Sequence, residues 1–345
     1  MGSRPWWRQP LVWIGFGLSG LAIATFILVF DMALVGRTLL RVRWPHVLIS
    51  AAVFMTAFMA RSLRWQLLLS PLARLPFGKV RDVLIVGYMA NLLLPARLGE
   101  VARALALWKV TGTSRRGSLT TIGLARLFDG FFLLGLLAVM GLLFELPSWI
   151  RKLTLVLMLF MAAVLLVALM LAFREALFLR LLDRLLFLVP RRAREQVVGF
   201  FARFAAGTHA LRSLSLVLQC ALATMTIWAL EFVVYFTMMR GFGITLPPWA
   251  ALLALVVTNI GIAAPSAPGH LGLFEAACSG AVIALGVEKE LALSYAIGVH
   301  LMMYVCLVVT GQFLMWRLGL RMSDITGRSP AADAADPPAP DGPAR

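Results

Sequence analysis

Arg97, Glu100 and Arg103 stand three residues apart inside an otherwise apolar stretch of the chain. On a helix, this spacing places the three charges on one face about 120° wide. Each such charge costs roughly 2.5–3.5 kcal/mol at the centre of a membrane-inserted helix, so these side chains normally face protein, water or one another. Arginine binds phosphate through two parallel hydrogen bonds, and the stretch is therefore a candidate site for an anionic ligand.

A second apolar stretch repeats the order Asn, Pro, Gly, Glu, and its asparagine follows that of the first stretch by 168 residues. The residues are Asn91, Pro95, Gly99 and Glu100 in the first stretch and Asn259, Pro265, Pro268, Gly269, Gly272 and Glu275 in the second. Half-helix N-termini at such breaks present unpaired N–H groups and a partial positive charge, which suits an anion. Paired, interrupted segments that enter a membrane from opposite sides are typical of inverted-repeat transporters with a site near the midplane.

Membrane-spanning helices must position these stretches, because the composition excludes a soluble domain. The chain has 345 residues, of which 61% are hydrophobic and only 14% are charged. Uncharged runs of about 20 residues are long enough to cross roughly 30 Å of hydrocarbon. We predict an all-α polytopic membrane protein with about six spanning helices, at about 11–30, 46–68, 121–144, 153–173, 214–239 and 291–316.

The two interrupted stretches, about 83–108 and 247–284, are predicted to be re-entrant hairpins that return to the side they entered from. With a cytoplasmic N-terminus, this topology places 22 of the 32 Lys and Arg inside, seven outside and three in embedded stretches. Treating both stretches as full crossings would move the arginines of 174–212 outside and remove the positive-inside bias. We therefore expect cytoplasmic termini. The two paired stretches, which enter from opposite sides, predict an inverted repeat with halves at about 1–165 and 166–325. The net charge of +16 then reflects topology, not nucleic acid binding.

Segment 174–212 is predicted to form a basic amphipathic helix pair on the cytoplasmic interface. Leucines recur every four residues from Leu177 to Leu185, while Arg180 and Arg184 lie on another face. Such a helix attracts anionic lipid by about 1 kcal/mol per well-placed arginine, although a plain topological anchor is the simpler interpretation. The last residues, 326–345, are rich in Pro, Ala, Asp and Gly and are predicted to be a disordered tail.

Further polar groups lie inside predicted spans. Arg126 and Asp129 form either an internal ion pair or a ligand-binding arginine oriented by the aspartate. Glu231 has no local cation, so it is a candidate proton carrier or the partner of a motif arginine. His270 and His300 could titrate near neutrality, with hydrogen-bonded helix contacts as the simpler interpretation. The scattered histidines and cysteines show no metal, disulfide or catalytic spacing, so we expect no metal and no cofactor.

The stretch from Asn91 to Arg103 resembles the signature of the lysylphosphatidylglycerol synthase transmembrane, or flippase-like, family. Three further pieces of the sequence fit the same pattern. They are Arg64-Trp65…Leu68-Leu69, Arg126…Asp129, and Pro265…Pro268-Gly269…Leu271-Gly272…Glu275. The resemblance covers about residues 45–315. The chain departs from it at His270, where the family usually has Gly, and at His300, where an Arg is common.

The resemblance implies a bacterial or archaeal inner-membrane protein that moves or handles lipids or lipid-linked sugars. In the aminoacyl-phosphatidylglycerol synthases the same membrane unit flips the modified lipid, and a separate cytosolic domain performs the aminoacyl transfer. This sequence contains no such domain, so we do not expect lysyltransferase activity.

The main hypothesis is a lipid flippase-like transporter of an anionic or phosphate-bearing lipid, including aminoacylated or glycosylated ones, with membrane lipids as its partners. The predicted headgroup ligands are Arg97, Arg103 and Arg126, and the residues that hold them or carry protons are Glu100, Asp129 and Glu275. One alternative is an integral-membrane enzyme or accessory subunit for polyprenyl-phosphate or hopanoid-type lipids, with Glu100 or Asp129 as the base. A second alternative is that the protein is a structural partner in a larger envelope complex. Association into a homo-oligomer also remains an open alternative.

Overall fold

The computed structural model describes residues 10–94, 98–143, 148–187, 189–208, 213–263 and 267–325. All regular structure within these ranges is helical, which confirms the predicted all-α class. The helices are α1 (Pro10–Val29), α2 (Met32–Leu40), α3 (Trp44–Leu69), α4 (Phe77–Leu93), α5 (Gly99–Thr111), α6 (Arg115–Leu143), α7 (Ser148–Phe173), α8 (Glu175–Leu185), α9 (Arg191–Thr208), α10 (Leu214–Gly241), α11 (Pro248–Gly261), α12 (Leu273–Ile283), α13 (Lys289–Arg317) and α14 (Met322–Ile325). The predicted tail lies outside the described residues.

Each of the six predicted spans coincides with a helix, namely α1, α3, α6, α7, α10 and α13. Among the described residues, α3, α6, α10 and α13 are long and apolar enough to cross a membrane. Helix α1 covers the predicted span, and the chain then bends by 93° between Phe16–Val29 and Met32–Leu40. Asp31 explains the bend, since its carboxylate accepts hydrogen bonds from the backbone of Ala33 and Leu34 and starts a new helix. The chain therefore crosses the membrane several times, and the number of six crossings stays a prediction.

Both interrupted stretches are helix–break–helix elements that fold back on themselves. In the first, Gly87 and Asn91 of α4 lie against Arg103 and Gly99 of α5, respectively. This pairing in reverse order means that the two helices run antiparallel. In the second stretch, α11 packs on α12, with a short 3₁₀ turn at Pro268–His270 between them. Re-entrant insertion of these hairpins into a bilayer stays a prediction.

The described residues divide into two compact units. The first unit comprises residues within Met1–Ala60, Arg81–Ala106 and Thr226–Ala332, and it contains both helix breaks. Here α13 packs on α2 and α12, and α1 packs on α12. The second unit comprises residues within Arg61–Val80 and Leu107–Met225. The inverted-repeat halves expected from the sequence, about 1–165 and 166–325, divide the chain differently from these two units and stay a prediction.

Segment 174–212 forms the predicted helix pair, α8 and α9, within the second unit. Both helices pack on α7 and on each other. Arg194 binds Asp183 across the pair and lowers the pKa of that carboxyl, so the contact persists to lower pH than for a free aspartate. The rings of Phe178 and Phe201 also pack together, with centroids 5.4 Å apart. The location of the α8–α9 helix pair at a membrane surface stays a prediction.

Candidate functional site

The first helix break depends on a glycine at the start of α5. Gly99 is buried, and a Cβ added there would lie 2.3 Å from the backbone nitrogen of Asn91 and 2.4 Å from its Oδ1. Only glycine permits this approach of the two helices. The Oδ1 atom of Asn91 is buried and accepts no hydrogen bond from the residues described here. Pro95 and Arg97 lie outside the described residues.

Arg103 is held inside the first hairpin, with 5% of its surface exposed. Its side chain runs across Gly87, where an added Cβ would lie 2.5 Å from the Cβ of Arg103. Gly87 therefore makes room for the aliphatic part of the Arg103 side chain, and the sequence interpretation did not include this glycine. Glu100 is half-buried and stands three residues before Arg103, a spacing at which two helical side chains are neighbours.

The second break is built from left-handed backbone. Gly269, His270 and Gly272 have φ angles of 69°, 58° and 83°. A Cβ at Gly272 would lie 2.9 Å from the carbonyl oxygen of Ser19, so α1 passes directly beside the turn. Ser19 also accepts a hydrogen bond of 3.0 Å from the backbone N–H of Ala267. A serine inside the apolar first span indicated a polar contact of α1, but it did not identify Ala267 as the partner.

The two breaks meet within the first unit. A Cβ added at Gly269 would lie 3.3 Å from the carbonyl oxygen of Leu92, at the end of α4. The same atom would lie 3.1 Å from the ring of Tyr304 on α13. The structure therefore brings together two stretches that are far apart in the sequence, next to the buried Arg103 hairpin. Pro268 opens the 3₁₀ turn, whereas Pro265 lies outside the described residues.

A buried carboxylate–imidazole pair ties the second break to α13. Oε1 of Glu275 and Nδ1 of His300 lie 2.5 Å apart, and both residues are less than 10% exposed. The other carboxylate oxygen accepts a 2.7 Å hydrogen bond from the backbone N–H of Gly272, which caps α12. Phe274 stacks on the imidazole with a centroid distance of 4.1 Å. Among the residues that the structure describes, a histidine and a backbone N–H thus hold Glu275. Its predicted role, to hold the motif arginines or to carry protons, stays a prediction.

Asp129 belongs to the second unit, where it binds Arg64 with both carboxylate oxygens. The two hydrogen bonds measure 2.6 and 2.9 Å, and Arg64 also donates to Thr224 Oγ1 at 2.9 Å. Arg61 and Arg126 lie within electrostatic range of the same carboxylate. The sequence interpretation expected Asp129 to serve Arg126, and it missed Arg64 because 65 positions separate the partners. Three arginines surround one aspartate here, which favours a site for negative charge.

Two other buried carboxylates lie in the first unit. Glu231, on α10, is 5% exposed. Asp82, which the sequence interpretation did not include, is 3% exposed and binds Arg317 at the end of α13. Arg81 donates a 2.9 Å hydrogen bond to the same carboxylate. The contact between Asp82 and Arg317 fixes the first turns of α4, and therefore the first hairpin, against α13.

These features define a polytopic membrane protein with a helix-break site of buried charges. A family model described as the lysylphosphatidylglycerol synthase TM region matches residues 12–311. The chain belongs to this family, as the motif around Asn91–Arg103 indicated. No curated protein and no solved structure matches the chain.

Proposed function

We propose that the protein is a lipid flippase-like transporter that moves an anionic or phosphate-bearing lipid across the inner membrane. The single observation that carries this proposal is the contact between the two helix breaks at Gly269 and Leu92, which belongs to the hairpin that also buries Arg103. Non-helical backbone at membrane depth is tolerated where it faces protein or a wet cavity, and transporters use such breaks to bind substrate. Membership of a lipid-synthase membrane family is consistent with a lipid as substrate.

In this mechanism, the first break supplies the positive charge. Arg103 and Arg97 bind the headgroup phosphate, and Asn91 adds a polar contact from the facing helix. Glu100 orients Arg103 from the same helix, α5. Arg126, in the second unit, contributes to a further anion contact that Asp129 and Arg64 stabilise.

The second break supplies a hinge and a proton-linked group. The left-handed residues at Gly269, His270 and Gly272 allow the turn, and Glu275 with His300 fixes its geometry. A proton on this pair, or on Glu231, would couple the break to the proton gradient. Termini on the cytoplasmic side and re-entrant hairpins complete the proposal, because that topology obeys the positive-inside rule.

A scrambling assay in reconstituted vesicles tests this function. Vesicles carry a fluorescent anionic or zwitterionic phospholipid, and dithionite quenching measures its transfer between leaflets. We expect wild type to move the anionic lipid, and Arg103→Ala to reduce the rate by about tenfold or more, the effect of losing about 1.4 kcal/mol or more. Arg37→Ala, at an exposed arginine, is the matched control and should move lipid as wild type does. Background rates for wild type across all lipid classes would contradict the transport function.

The enzymatic alternative predicts a different result. Asp129 already binds Arg64 through both oxygens, so it is better suited to positioning than to proton abstraction. Mass spectrometry of the lipids after incubation separates the two functions. A new lipid mass without transbilayer movement would favour the enzyme, and unchanged masses with movement would favour the transporter.

A further inference from the structure

A cavity of about 350 Å³ lies between α6, α7 and α10 in the second unit. Its lining consists of apolar side chains, among them Phe128, Ala168, Phe173 and Val217. Ligand pockets in proteins range from about 300 to 1,000 Å³, so this one suits a single chain and not a whole lipid. It shares no residue with the helix breaks of the first unit.

The surroundings of the cavity are basic and suited to a membrane interface. Phe173 ends α7 at the cavity, and α8 follows immediately. Residues 174–195 contain six arginines and three carboxylates, a net charge of +3. Leu177, Leu181 and Leu185 are at least 41% exposed along one side of α8, a pattern typical of a helix that lies in the headgroup region.

We propose that this cavity binds one acyl chain of an anionic phospholipid, whose headgroup lies against the basic α8–α9 pair. Lipid tails are as apolar as leucine, so burial in the cavity gives little preference over the bilayer by itself. The shape of the cavity and the attraction between basic side chains and an anionic headgroup must therefore supply the selectivity for this lipid. The cavity and the basic helix pair both lie at this end of the second unit. Arg180 and Arg184 are exposed on α8 and provide the positive charge beside the exposed leucines. The site holds a lipid whether or not the protein transports one.

Photo-crosslinking in nanodiscs tests the acyl-chain site. Phosphatidylglycerol with a diazirine on one acyl chain is compared with the matching phosphatidylcholine, and peptide mass spectrometry maps the labelled residues. We expect labelling to concentrate on Phe128, Leu169 and Val217 with phosphatidylglycerol. Equal labelling of the cavity and of lipid-facing positions such as Leu142 and Leu155 would mean ordinary annular lipid and would overturn the proposal.

Two cavity-filling variants and one control sharpen the result. Ala168→Phe occupies the cavity and should reduce its labelling about tenfold, equivalent to about 1.4 kcal/mol of binding free energy. Leu169→Trp enlarges a lining residue that is 39% exposed and should act in the same direction without changing the buried Ala168. Leu166→Phe, at a residue 60% exposed on the same helix, should leave the labelling unchanged. Wild-type labelling in both cavity variants would refute the acyl-chain site.

Charge reversal tests the headgroup. Arg180→Glu together with Arg184→Glu changes exposed residues of α8, a helix without buried residues, so the fold should persist. We expect phosphatidylglycerol to lose its advantage over phosphatidylcholine in labelling the cavity. If the preference for phosphatidylglycerol persists in this variant, the headgroup assignment is wrong.

Discussion

The two helix breaks meet in one unit, yet they are built from different chemistry. The first is a close antiparallel contact in which Gly87 and Gly99 make room for Arg103 and Asn91. The second is a left-handed turn held by a carboxylate, a histidine and the Ser19 hydroxyl of α1. A common helix–break–helix architecture therefore presents one basic half and one acid–base half. We infer that the first break serves the ligand and that the second serves the geometry of the hairpin.

Removal of His300 should give the largest loss of stability in the molecule's helix-break region. His300→Ala leaves the Glu275 carboxylate buried beside a cavity, and losing one partner of a buried pair costs about 3–5 kcal/mol. Denaturant unfolding in detergent micelles measures the free energy of unfolding. His300→Arg provides the matched variant, because it keeps a cationic partner for the carboxylate.

If His300→Ala and His300→Arg were equally destabilising, steric fit to Phe274 would matter more than the pair with Glu275. The same two variants also test whether the Glu275–His300 pair couples proton binding to lipid transfer. His300→Arg replaces the imidazole with a guanidinium that stays protonated, so lipid transfer should lose any pH dependence that comes from this pair. Transfer that keeps the wild-type pH profile in this variant would assign the coupling elsewhere.

Gly99→Ala should disrupt the first break through a steric clash. The new Cβ would meet the backbone nitrogen of Asn91 at 2.3 Å, so α5 must shift. Overpacking of this kind costs about 1–3 kcal/mol, occasionally more, and the displacement of Arg103 should also lower lipid transfer. Gly36→Ala is the control, because nothing lies within 4 Å of a Cβ at that helical position. It should be neutral or more stable by up to about 1 kcal/mol.

Gly272→Ala tests the second break in the same way. Gly272 and Gly286 share left-handed φ angles of 83° and 88°, but only Gly272 lies against another helix. Left-handed backbone costs a non-glycine residue roughly 1–2 kcal/mol, and both substitutions should show that loss. If Gly272→Ala loses more stability than Gly286→Ala in thermal unfolding, the additional loss reports the contact of Gly272 with Ser19 of α1. Equal losses at the two glycines would mean that α1 does not restrain the turn.

The positions of the breaks could be predicted from the sequence, whereas the contacts that hold them could not. Proline and glycine inside apolar runs marked both breaks, because these residues act through their own backbone. The contacts of Gly87 with Arg103 and of Ser19 with Ala267 depend on which helices become neighbours, which no local pattern reports. The partner of Asp129 illustrates this limit, since Arg126 is close in sequence but Arg64 makes the bidentate contact. The bend after α1 carried a readable signal, the capping Asp31, which directly follows the predicted span.

Asn91 should show the smallest effect on stability, together with a clear effect on function. None of the residues that the structure describes donates a hydrogen bond to the buried Oδ1 atom of Asn91. An unsatisfied buried polar atom costs about 1–3 kcal/mol, so Asn91→Leu should leave the free energy of unfolding unchanged or raise it slightly. Native sites retain such costs where the group binds a ligand, and lipid transfer should therefore fall. The expected result for His300→Ala is the opposite, because its main effect is a lower free energy of unfolding. Loss of stability in Asn91→Leu, comparable to that of His300→Ala, would remove the distinction between a ligand-binding break and a structural one.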